Sequence, residues 1–139
     1  MGKAALTLFA SAAVVALGAG TAAADAGEYG SLALGTSADN VIVGTGFNYP
    51  DQEGADVRAL VECGVSNCEI LVRFRNACGA VAIRGNKVGW GGGYTRFEAE
   101  QAALGQLGPD PTSPLLISLG SARPQPAKVL GSECSGSAR

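Results

Sequence analysis

The chain repeats itself, and that constrains its fold more than any other feature. Tyr29-Gly30-Ser31-Leu32-Ala33-Leu34 resembles Cys78-Gly79-Ala80-Val81-Ala82-Ile83 at an offset of 49. Val43-Gly44-Thr45-Gly46-Phe47-Asn48-Tyr49 resembles Val88-Gly89-Trp90-Gly91-Gly92-Gly93-Tyr94 at an offset of 45. Ala55, Ala59, Leu60 and Gly64 match Ala99, Ala103, Leu104 and Gly108 at an offset of 44. The shrinking offset means shorter connections in the second copy. The pattern is that of a duplicated unit of about 45–50 residues.

Both copies spell the same order of elements. An apolar strand opens each (Ser31 to Leu34, Ala80 to Ile83), and a second strand follows (Val41 to Phe47, Lys87 to Trp90). Gly85-Asn86 suits a tight hairpin turn because both residues tolerate positive φ, whereas the first copy reads as a longer turn, Thr36 to Asn40. A helix comes next. Asp51 is the N-cap of the first, and Thr95-Arg96-Phe97-Glu98 is a capping box for the second. Gly64 and Gly108 suit the left-handed position that ends a helix. Ala55, Ala59 and Cys63, like Ala99, Ala103 and Leu107, recur every fourth residue, a face small enough to let the helix lie close to a sheet. Glu69 to Arg75 alternates as a third strand, and Leu115 to Leu119 is the expected equivalent after the proline-rich run Pro109 to Pro114.

Residues 1–26 read as a secretory signal peptide. Lys3 supplies the positive start, and Leu6, Leu8, Phe9, Val14, Val15 and Leu17 the apolar core. Small residues allow cleavage after Ala24 or after Ala26. A retained membrane anchor fits the uncharged length from Ala4 to Ala24, but not its alanine and glycine content or its ending. No other segment approaches membrane-spanning length, so no span is expected in the mature form. The expected organisation is a duplicated domain over residues 27–120 and an irregular tail over 121–139, tethered by Cys134. In an exported chain, Cys63, Cys68, Cys78 and Cys134 read as disulfides. Three pairings exist; the favoured one joins Cys63 to Cys68 across a short loop and Cys78 to Cys134 across a long one. A zinc site would call for a second close-spaced pair, which is missing.

Charge and residue inventory narrow the function. Ten basic against twelve acidic residues give a net charge of −2, without the basic footprint of a nucleic-acid binder. The absence of histidine removes the commonest general base and metal ligand. Gly44-x-Gly46 and Gly91-Gly92-Gly93 precede helices but lack phosphate-loop spacing, so close packing is the simpler reading. Asp51 with Glu53, and Glu98 with Glu100, stand two apart on helices and do not face each other as a hydrolytic pair would. Arg73, Arg75, Arg84 and Lys87 form the one basic run, a candidate face for an anion or a partner. Phe47, Tyr49, Trp90, Tyr94 and Phe97 flank the glycine strands; core packing is the default, an exposed aromatic platform the alternative.

These residues also carry a likeness. Tyr29-Gly30-Ser31-Leu32-Ala33, Asn48-Tyr49-Pro50, Ala59-Leu60-x-x-Cys63-Gly64, Cys68, Phe74-Arg75-Asn76-Ala77-Cys78-Gly79-Ala80 and Gly89-Trp90-Gly91 resemble a family of small exported bacterial proteins catalogued as domain of unknown function 4189. The likeness runs from Tyr29 to about Leu107. It implies a secreted, disulfide-containing protein with no catalytic residue to carry over. The family's second copy usually has its own cysteine pair at the helix end and following strand; here Leu107 stands where Cys63 stands, and Cys134 is displaced into the tail.

The expectation is therefore an α+β protein of two tandem ββαβ-like repeats, helices packed on antiparallel sheet and stabilised by disulfides. It would act without a cofactor, in the envelope or outside the cell, as a binding module for a partner protein or an envelope polymer. The alternatives are a secreted effector or enzyme inhibitor using the Pro109 to Pro114 loop and, less favoured, a hydrolase with carboxylate chemistry.

Overall fold

The computed structural model describes residues 27–139; the expected signal peptide lies outside the described residues. Element order is β1 (Tyr29–Ser37), β2 (Asn40–Tyr49), α1 (Gln52–Cys63), β3 (Glu69–Arg75), β4 (Cys78–Arg84), β5 (Lys87–Gly93), α2 (Arg96–Leu107), the short α3 (Pro114–Ser118) and β6 (Lys128–Cys134). These build two three-stranded antiparallel sheets, β2-β1-β3 and β5-β4-β6. The duplication extends to register. Leu34 pairs with Val43 and Glu69, as Ile83 pairs with Val88 and Lys128. Each third strand also carries its irregularity at the same step, opposite Leu32/Ala33 and opposite Val81/Ala82.

The two sheets meet face to face, β1 against β4, β2 against β6 and β3 against β5, with one helix on each outer side. Successive residues of a strand point to opposite faces, so the central strands are apolar on both. Leu32, Val72, Phe74 and Val81 fill the seam between the sheets. Ala33 meets Ala59 and Cys63 of α1, while Ala80 and Ala82 meet Ala99, Ala103 and Leu107 of α2. The helices press closely enough that a Cβ on Gly44 would collide with the Ala59 carbonyl oxygen, and one on Gly89 with that of Ala103. Hence glycine lines the second strand of each unit and alanine the facing helix.

Helix ends follow the sequence except at Gly108, whose φ of 73° comes with ψ −169°, outside the left-handed helical region, while its N–H turns back to the Gly105 carbonyl (3.1 Å). Asp51 accepts from the Gly54 N–H (2.7 Å) and Thr95 from that of Glu98 (3.1 Å); Gly64 takes φ 74°. The Glu98 carboxylate reaches one residue beyond the cap, to the Tyr94 N–H (2.9 Å). Three expectations are corrected. The first hairpin turns on only Ala38 and Asp39, because Ala38 takes φ 57° and lets β1 and β2 pair as far as Ser37 and Asn40. Leu115 to Leu119 is not a strand. Pro114 stands at the first helical position and Ser113 caps it, so the segment winds into α3. The tail is tethered by Cys134 but is not irregular throughout: Cys134 stands opposite Cys78, and Lys128–Cys134 completes the second sheet.

Both favoured disulfides are present, Cys63–Cys68 and Cys78–Cys134. Each has a non-covalent counterpart in the other half. Tyr29 and Arg75 occupy the paired positions of Cys78 and Cys134, and there the guanidinium stacks 5.1 Å over the phenol ring. Leu107 and Ala127 stand where Cys63 and Cys68 stand, both within the second helix–sheet cluster. The helix end beside them is held by Arg84, which donates to the carbonyls of Leu107 (3.3 Å), Gly108 (3.1 Å), Pro109 (3.1 Å) and Gln125 (2.8 Å). If the equivalence is structural, Leu107→Cys with Ala127→Cys closes a third disulfide on oxidation. Peptide mapping should recover that bond, and denaturant unfolding should show a gain of about 3 kcal/mol.

Candidate interaction surface

The duplication supplies an internal comparison: a device built in both halves serves the fold. The most reactive-looking cluster fails on this ground. Ser31 is fully buried; its hydroxyl donates to Asp56 and accepts from Gln52 Nε2 (2.7 Å), while Arg73 Nε holds the other Asp56 oxygen (2.9 Å). A hydroxyl beside a carboxylate resembles part of a nucleophilic site, but the second half has the same set permuted. Arg96 and Glu100 take the helix positions of Gln52 and Asp56, Ser132 takes the strand position of Arg73, and Ala80 that of Ser31. Ser132 donates to Glu100 Oε2 (2.6 Å) and receives Arg96 Nη1 (2.9 Å). One acid, one arginine and one serine thus clamp the start of each helix to its sheet. Sequence comparison misses this because the partners exchange positions.

A second shared device covers the sheet edge. The Thr45 N–H and hydroxyl both donate to Glu62 Oε1 (3.0 and 2.8 Å), and the Trp90 N–H donates to Gln106 Oε1 (2.8 Å). The Thr45 bonds, with Arg58 nearby, hold the Glu62 carboxyl below its ordinary pKa. A lowered pKa contributes stability above the ordinary glutamate pKa and loses it as pH falls through the folded value. Glutamine serves the same purpose at position 106. Glu62→Gln is therefore expected to keep stability within about 1 kcal/mol at neutral pH, since the group is exposed. It should also flatten the acid limb of a stability-versus-pH curve, read by denaturant midpoints across the acid range.

The expected basic face is not assembled. Arg73 and Arg75 stand on the helix side of the first sheet, paired with Asp56 (2.9 Å) and Glu28 (3.0 Å). Arg84 stands on the helix side of the second sheet, its guanidinium spent on carbonyls, with Lys87 opposite it in register. Alternation along the strands puts the two pairs on opposite outer sides of the stack. The glycine-rich strands are packed rather than open as phosphate loops: α1 carbonyl oxygens cover Gly44 and Gly46, and Ala102 and Glu98 of α2 cover Gly91 and Gly93.

What the halves do not share is an exposed aliphatic pair in the middle of the helix. The outer face of α1 carries Val57 (54% exposed) and Val61 (64%), one turn apart, with Leu60 beside them. Tyr49, Gly54 and Arg58 complete an open groove of about 490 Å³, with Asp51 and Glu53 on its rim. Asp51 is engaged in capping α1. On α2 the corresponding positions are Gln101 and Gly105. The aromatics depart from the core-packing default: Tyr94 is 81% exposed, and Phe47, Trp90 and Phe97 are also exposed.

Among the described residues no helix is long and apolar enough to cross a membrane. No solved structure matches the chain. Protein Rv1269c of Mycobacterium tuberculosis is 36% identical over 80 residues, 58% of this chain and 61% of that protein. Protein Mb1300c of Mycobacterium bovis shows the same figures. Uncharacterized protein Rv1813c of Mycobacterium tuberculosis is 35% identical over 80 residues, 58% of this chain and 53% of that one. The chain thus spans between about half and three fifths of the length of these relatives. The family described as Domain of unknown function (DUF4189) matches residues 29–113, more than half of the sequence, and the chain belongs to that family.

Proposed function

We propose that the protein is an exported, non-enzymatic binding module acting in the cell envelope or outside the cell, and that the α1 groove is its contact surface. One observation carries this reading: Val57 and Val61 are exposed on a helix whose duplicate is polar or bare at the same places. Two disulfides in a small chain suit an oxidising compartment. The groove offers an apolar floor, the Tyr49 ring and an Arg58 guanidinium that also pairs with Glu62 (3.3 Å). Such a surface suits an apolar side chain, as in a protein segment or a decorated envelope polymer.

The test is affinity capture from extracellular and envelope fractions with the oxidised mature protein, beside a Val57→Lys/Val61→Lys variant. Both valines are solvent-exposed, so the variant should keep its circular dichroism. The expected result is a species retained by the wild type and reduced at least tenfold on the variant. Equal retention by both would remove the groove from the account. Turnover of a retained polymer that Glu53→Gln abolishes would replace binding with carboxylate chemistry.

A further inference from the structure

Between α2 and β6 the chain leaves the duplicated plan. Residues 109–126 stand where the first half needs only residues 65–67. The insertion has a closed neck: Arg84 joins the carbonyls of Pro109 and Gln125, and Asp110 accepts from the Gln125 N–H (2.6 Å) and the Thr112 N–H (2.8 Å). Its tip has a different character. No charged side chain occurs from Pro111 to Ala122, and Leu115, Leu116 and Leu119 are exposed there. Most backbone N–H groups of the tip are bonded within it. The N–H groups of Ile117, Leu119, Gly120, Ser121 and Ala122 return to carbonyls of residues 113–117, and the Ser118 hydroxyl to that of Pro114.

We propose that this tip inserts shallowly into an anionic lipid surface. A protein groove would tolerate free backbone groups and could pair them, whereas a bilayer penalises each one left unpaired. A leucine-rich tip whose N–H groups are mostly bonded within it fits the second demand. Cations stand around the neck: Arg123 at the base of the loop, Lys87 at the β4–β5 turn and Lys128 at the start of β6. Among the described residues none of these is in an ion pair. Asp39 lies at the same end, beside Lys128, and the Asp110 carboxylate is turned to the neck amides. Leucines meeting the acyl boundary, with lysine and arginine at headgroup level, is the arrangement of interfacial anchoring. This inference is independent of the α1 groove, which lies on the other helix.

The test is co-sedimentation of the oxidised mature protein with vesicles of phosphatidylcholine and phosphatidylglycerol (1:1) and of phosphatidylcholine alone. The wild type should bind the anionic vesicles, more weakly as salt rises, and bind the neutral ones at least tenfold less. Leu115→Ser/Leu116→Ser/Leu119→Ser, whose exposed positions leave the fold intact by circular dichroism, should lose binding at least tenfold. Leu119→Trp should show a fluorescence blue shift on adding anionic vesicles that the wild type, with only Trp90, does not. No wild-type binding, unchanged binding by the triple variant, or no blue shift would each overturn the proposal. Self-association that the triple variant abolishes, with vesicles ignored, would assign the tip to a second copy instead.

Discussion

The seam between the two sheets is the contact on which the rest depends. Phe74 lodges there between Gly30 and Gly79, equivalent residues of the two halves, at distances that leave no room for a Cβ on either. Leu32, Val72 and Val81 close around it. A sheet that packs a helix on one side still has an apolar face to bury, and a unit of about fifty residues is marginal when it must do so alone. Stacking two such sheets solves the problem for both. The covered central strands then carry short aliphatic residues on both faces, and the larger side chains are displaced outward.

Around that seam the two halves meet the same mechanical demands by different chemistry. The end of α1 is tied to its sheet by Cys63–Cys68, that of α2 by the Arg84 guanidinium reaching four carbonyls. The strand pair that a disulfide locks in one half is held by Arg75 over Tyr29 in the other. Acid, arginine and serine exchange places in the clamps beneath the helix starts. The positions have mechanical roles that no single residue type defines. This equivalence separates scaffold from function: the α1 groove and the 109–126 insertion are features that one half has and the other lacks.

The fold was legible wherever a local rule fixes it. Caps at Asp51 and Thr95, the left-handed Gly64 and the alanine faces all lie within a few residues of their causes, and the paired offsets repeat those local signals. The missing third strand was not legible. Pro109 to Pro126 separates α2 from its strand, and only the Cys78–Cys134 register places Lys128–Cys134 in the sheet. The candidate surface was half visible. The glycine–alanine layers were readable, but the exposure of Trp90, Tyr94 and Phe97 was not, because no local rule fixes which aromatics the two layers leave uncovered. The basic run reads as continuous in sequence because proximity hides a change of sheet between Arg75 and Arg84.

If the shared seam makes one cooperative unit of the two copies, their innermost amides must open together. Native-state hydrogen exchange on the oxidised mature protein measures this directly, at the amides of Leu32 to Leu34 in β1 and Val81 to Ile83 in β4. The expected result is one common opening free energy for both strands, equal to that of global unfolding. Opening of one strand at a clearly lower free energy, with the other still protected, would mean that the halves stand independently and that the seam is not what holds the molecule.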